Sequence, residues 1–170
     1  MKVFSCLMCF ALIMVTVSPC ASRAATHPDI DPCSLIAPEK VYQAFPALKN
    51  MEKSTIGPNT TCSYLDKFGI SAFVISVHQP DSISAHTMMD NLDFAGCTVE
   101  DVAGLGKEAA MALTASESGN GDTGRKVMEL YIKKEGSSLL LAPVRIQVPA
   151  KGPKFEQLMS LAGEMVNKLP

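Results

Sequence analysis

The most regular apolar pattern in the chain lies at its end. Phe155, Leu158, Met159, Ala162, Met165, Val166 and Leu169 recur every three or four residues, which lines them along one stripe of a helix. Pro153 sits near the start of this run. The pattern predicts a C-terminal amphipathic helix packed on a sheet. A shorter helical run, Val41, Ala44, Phe45 and Leu48, follows Pro38 and Glu39. Proline suits a first helical turn and glutamate complements its positive end, so a short helix is expected near residues 37–45. A third helix is expected over "SAHTMMDNLDF", with Met88, Met89 and Leu92 on one side and Ser82 or Ser84 as its cap.

Between these helices the period shortens to two. Ile70, Ala72 and Val74 alternate with Phe73, Ile75 and Val77, so both faces are apolar and the strand is expected to be central. Pro80 ends it, and the turn "DKFG" joins it to an earlier strand around Cys62 to Leu65. "TVEDVAGLGKEAAMALT" reads as strand, glycine turn and strand. "KVMELYIKKEGSSLLLAPVRIQV" reads as a hairpin turning at Glu135-Gly136, with Met128, Leu130 and Ile132 on one face. Pro143 cannot donate to a ladder and marks a bulge or an edge. "KNMEKSTIGPNTT" reads as a polar connection, and the glycine-rich "ASESGNGDTGR" as an exposed, mobile loop. No tandem repeat is evident. The order predicts an α+β fold: a largely antiparallel sheet carrying a short N-terminal helix, a middle helix and the C-terminal helix.

The beginning of the chain changes the picture of where the domain starts. Lys2 precedes an almost wholly apolar run from Val3 to Val17, and small residues lead to Ser22-Arg23-Ala24. About 15 apolar residues are too few for a bilayer span, which needs about 20. The order of regions is that of a secretory signal peptide cleaved after Ala24. Cys20 follows Pro19 rather than a small residue, which argues against lipid attachment. The expected organisation is a signal peptide over 1–24, an extended leader over 25–32 and one α+β domain over 33–170. Losing Lys2 and Arg23 takes the formal net charge from -2 to -4. No basic run remains to favour nucleic acid, and no second segment is apolar enough to span a membrane. The expected location is periplasmic or extracellular.

Cys33, Cys62 and Cys97 remain after cleavage, in a compartment where disulfides persist. An odd count leaves one thiol over or an intermolecular bond. The favoured pair is Cys33 with Cys62, which would pin the first helix to the sheet, with Cys97 as a free buried thiol. Pairings with Cys97 stay as alternatives. A reactive Cys33 has a mechanism, because a helix N-terminus acidifies a thiol. It has no second cysteine at redox spacing, and the mature chain's histidines are His27, His78 and His86.

Other chemistry is sparse. "AGLGKEAAM" has the glycines of a phosphate loop, but Lys107 is followed by Glu108 rather than serine or threonine. A tight turn with positive φ at Gly104 or Gly106 accounts for it better. His78, His86, Met88 and Met89 are soft ligands that would suit copper, and a helix would put His86 and Met89 on one face. The simpler reading makes both methionines core residues. His27, Asp29 and Asp31 are at most an adventitious ion site. Glu100, Asp101, Glu117 and Asp122 sit in polar surroundings without the burial that tunes a catalytic acid. Ser34, Ser63 and Ser160 lack a nucleophile elbow. Asn59-Thr60-Thr61 is a glycosylation sequon, which marks an exposed loop.

"DPCSLIAPEKVYQAF", Cys62 with Tyr64 two residues on, "VAGLGKEAAM", "MELYIKKEGSSLLLAPVRI" and "LAGEMVNKL" are short motifs spread along the mature chain. In these motifs it resembles a family of small exported bacterial proteins, mostly actinobacterial and often lipoproteins, classed as a domain of unknown function. The resemblance implies an exported α+β domain whose first two cysteines pair. It supplies no activity, and Cys97 is additional to its pattern. Residues and resemblance lead to one expectation: a non-enzymatic exported domain, without cofactor, that binds a protein partner or an envelope component. A small-ligand or metal-binding envelope protein, using the sheet face or the His86–Met89 region, is the alternative.

Overall fold

A computed structural model describes residues 30–56, 59–78, 84–93, 96–114 and 124–170. The expected signal peptide, most of the leader and most of the glycine-rich loop lie outside these residues. The described residues form seven strands and three α-helices. They run α1 Pro38–Ala44, β1 Leu48–Ile56, β2 Asn59–Asp66, β3 Ser71–His78, α2 Ala85–Asp93 and β4 Cys97–Asp101. β5 Glu108–Thr114, β6 Val127–Lys134, β7 Ser137–Ala142 and α3 Pro153–Lys168 complete the order. One antiparallel sheet holds all strands in the order β1-β2-β3-β7-β6-β5-β4. The α+β class expected from the periods is the one observed.

The path follows from that order. β1, β2 and β3 meander from one edge, and α2 carries the chain to the opposite edge. The strands from β4 to β7 then return, and β7 closes the sheet against β3. Side chains on β5 show how the two faces differ. Met111 and Leu113 point into a large core with Val41 of α1, Phe73 and Ile75 of β3, and Leu158, Ala162 and Met165 of α3. Ala110 and Ala112 point the other way, where Ala85 and Met89 of α2 pack on them with Tyr131. Small side chains let α2 lie close to the sheet, while large ones fill the space beneath α1 and α3. Each large apolar side chain so buried contributes roughly 1.5–3 kcal/mol.

Helix ends follow local chemistry. Ser84 Oγ accepts the Thr87 amide at 3.1 Å, which caps α2. Of the two serines considered, Ser84 therefore serves. Lys134 Nζ reaches from β6 to the last carbonyls of α3, donating to Val166 and Leu169. Lys40 of α1 and Glu164 of α3 pair at 2.6 Å across the helix–helix groove.

Three expectations need correction. "KNMEKSTIGPNTT" contributes most of β1 and the start of β2, which pair from Leu48↔Asp66 to Ile56↔Asn59. Met128 does not join Leu130 and Ile132 in the core. A bulge shifts the register between Ala112↔Glu129 and Leu113↔Val127, so Val127 takes the inward place and Met128 is exposed. Pro143 follows the end of β7 and terminates the strand. A 3-10 turn over Pro32–Ser34 precedes α1.

Candidate functional site

The cysteines are joined as a structural staple. Cys33, in the 3-10 turn, and Cys62, on β2, form a disulfide across a separation of 29 residues. Cys62 is fully buried beneath α1 and α3. Asp31 fixes the same turn: its Oδ1 accepts the Cys33 amide at 2.9 Å and its Oδ2 meets Lys53 of β1 at 2.9 Å. The Lys53 hydrogen bond, with help from the Cys33 amide, holds the Asp31 carboxyl below its ordinary range. Cys97 is a free thiol, only partly buried, beside the α2 cluster.

The other candidates do not assemble into chemistry. Gly104 and Gly106 both have positive φ, at 81° and 61°, and the Lys107 amide donates to Lys133 O at 2.8 Å. This is a tight turn whose backbone is occupied, not a phosphate cradle. Met89 is buried against the sheet, while His86 is exposed and pairs with Asp101 at 2.8 Å. The two do not form a ligand pair, and His27 and Asp29 lie outside the described residues. No cluster of three His, Cys, Asp or Glu side chains suited to a metal occurs among the described residues. Glu100 pairs with Arg125 at 2.5 Å, and Glu117 and Asp122 lie outside the described residues. Ser34 Oγ donates to Asp31 O, and Ser160 lines the groove between α1 and α3. Among the described residues, burial holds the Glu129 carboxyl of β6 above its ordinary range.

The surface worth attention is at the end of the sheet where β2 turns into β3. A cleft of about 400 Å³ is lined there by Lys49, Asp66, Lys67, Phe68, Arg145 and Ile146, with Ala47 and Ala72 beneath. Three segments build it. β1 brings Lys49 and the β2–β3 turn brings residues 66–68. The stretch after β7 brings Arg145, whose amide donates to Ala72 O at 3.0 Å.

Asp66 organises the turn. Its Oδ1 accepts the amides of Phe68 at 2.8 Å and Ile70 at 3.1 Å, while Gly69 takes φ 73°, the left-handed conformation that closes a tight hairpin. Arg145 Nε stands 3.9 Å from Asp66 Oδ2. The Ile70 and Phe68 amides, and then Arg145 and Lys67, hold the Asp66 carboxyl below its ordinary range. With its carboxylate tied inward, the turn aims its other side chains outward. Phe68 is 72% exposed and Ile70 44%, and Val144, in the stretch after β7, is 59% exposed. Lys67 Nζ sits 4.8 Å from the Phe68 ring centroid, within cation–π range.

Sequence reasoning found the turn and missed the surface. Its one local signal was a phenylalanine between lysine and glycine at a turn tip, where burial is not possible. Comparison with known protein families, characterised proteins and solved structures finds no match to this chain.

Proposed function

We propose that the chain is an exported, non-enzymatic binding domain that docks a protein partner through the β2–β3 turn end of its sheet. The carrying observation is Phe68, an aromatic side chain held out at a turn tip beside a cleft and ringed by Lys49, Lys67 and Arg145. Aromatic and arginine side chains in a partly concave setting are what anchor protein interfaces. Export is supported by the signal-like start, by the resemblance to exported bacterial proteins and by the Cys33–Cys62 bond, and no described helix is long and apolar enough to cross a membrane. The chemistry of the described candidates supports binding over catalysis: Glu100 pairs with Arg125, Asp101 with His86 and Asp31 with Lys53 at the surface.

The test is site-specific photocrosslinking in the native cell envelope. A crosslinking amino acid replaces Phe68 in one sample and Glu135, at the opposite end of the sheet, in the other. A defined protein adduct at position 68 and none at 135 is the expected result. Equal adducts at both positions, or none at 68, would remove the turn end from consideration.

A further inference from the structure

The cleft beside Phe68 also says what it would accept. We infer that it takes an acidic peptide segment of the partner, with a carboxylate lying next to an apolar side chain; this rests on the docking function proposed above. The charge pattern is the first ground. The chain carries 17 acidic and 15 basic residues, yet the cleft presents Lys49, Lys67 and Arg145 against a single carboxylate. That carboxylate, Asp66, already accepts two backbone amides. A local excess of cations on an acidic chain steers an acidic partner to one place and repels it elsewhere.

The apolar lining is the second ground. Phe68 and Ile146 share the cleft with Ala72, so an incoming carboxylate would arrive with apolar surface alongside it. Arg145 approaches Asp66 only at 3.9 Å, beyond hydrogen-bond range. Its planar guanidinium suits two-point capture of a carboxylate. Lys67 lies over the Phe68 ring, which places a cation and an apolar face within one side chain's reach.

Size and overall charge decide against a membrane. A space of about 400 Å³ admits one or two side chains, in the range of ordinary ligand pockets. A lipid surface instead recruits clusters of four to eight cations next to a helix or anchor, and the acidic chain as a whole is repelled by anionic lipid.

The experiment selects random 12-residue peptides displayed on phage against the oxidised protein. Selected peptides should carry Asp or Glu beside Leu, Phe or Trp. Their affinity should fall at least about tenfold for Lys49→Glu/Lys67→Glu, and also for Phe68→Ser and Arg145→Gln. All these side chains are exposed, and an unchanged thermal midpoint in each variant confirms folding. Peptides without acidic residues, affinities indifferent to the charge reversal, or no selected peptide would each overturn the inference. So would binding to phosphatidylglycerol vesicles in place of peptides. An adduct at position 68 without acidic peptides would leave the docking function standing and this inference refuted. Failure of both experiments would refute both.

Discussion

Cys33 and Cys62 join the turn before α1 to the second strand, across 29 residues of chain. The closed loop contains α1 and the whole of edge strand β1. Closing a loop of this length removes unfolded-state entropy equivalent to roughly 3–4 kcal/mol. Replacing both cysteines with serine should lower stability by that amount, read as a reduced denaturation midpoint in urea. Reducing agent should destabilise the wild type and leave the double variant unchanged.

Tyr64 lies two residues beyond Cys62, fully buried, its ring 5.9 Å from Tyr42 and 6.1 Å from Phe73. Its hydroxyl is buried without a hydrogen-bond partner. An orphaned polar group of this kind costs about 1–3 kcal/mol. Tyr64→Phe should therefore leave stability unchanged or raise it by up to about 1 kcal/mol, where most core truncations would lower it. Burial, and secondarily Tyr42 and Glu39, push the Tyr64 phenol up to about 12 from its ordinary 10.0. The folded state thus holds this proton more tightly than the unfolded state does. Stability associated with Tyr64 is complete below pH 10 and is lost as pH rises toward 12. Thermal midpoints of wild type and Tyr64→Phe should diverge across that interval.

The fold was legible wherever burial imposed a period. α3, β3 and the β6–β7 hairpin each show one in the sequence, and each stands within a few residues of where it was expected. β1 shows no such period, because residues 49–55 are all exposed. It is a strand through its backbone ladder with β2, which hydropathy does not register. Met128 was misplaced because a bulge has no reliable side-chain signature. The cleft escaped for a different reason. Lys49, Phe68 and Arg145 come from three segments, and only the pairing of β1 with β2 and of β3 with β7 brings those segments to one end of the sheet.

Glu129 faces Ala112 across the β5–β6 ladder, and burial raises its carboxyl above the ordinary 4.5. The folded protein therefore binds this proton more readily than the unfolded chain, and stability falls as pH rises above 4.5 through the raised value. Glu129→Gln keeps the shape and removes the ionisation. It should raise the thermal midpoint at pH 7, with the difference shrinking to nothing below about pH 4.5. A variant no more stable than wild type at neutral pH would show that the Glu129 carboxylate is solvated in the native protein.

Gly106 sits over the β6 backbone at the mouth of the β4–β5 connection. A Cβ there would stand 2.4 Å from Lys133 O and 2.9 Å from the Ile132 side chain. The same carbonyl accepts the Lys107 amide, so it cannot retreat without breaking that bond. The residue also has φ 61°, where a side chain adds about 1–2 kcal/mol of strain. Gly104, two residues earlier, has φ 81° but nothing within 4 Å of its Cβ position. Gly104→Ala should show the conformational strain alone, near 1–2 kcal/mol. Gly106→Ala should exceed it clearly, with amide exchange accelerated at Lys107, because only there does the substitution push against a backbone atom. Equal losses at the two positions would mean that the turn lifts away from β6 without penalty.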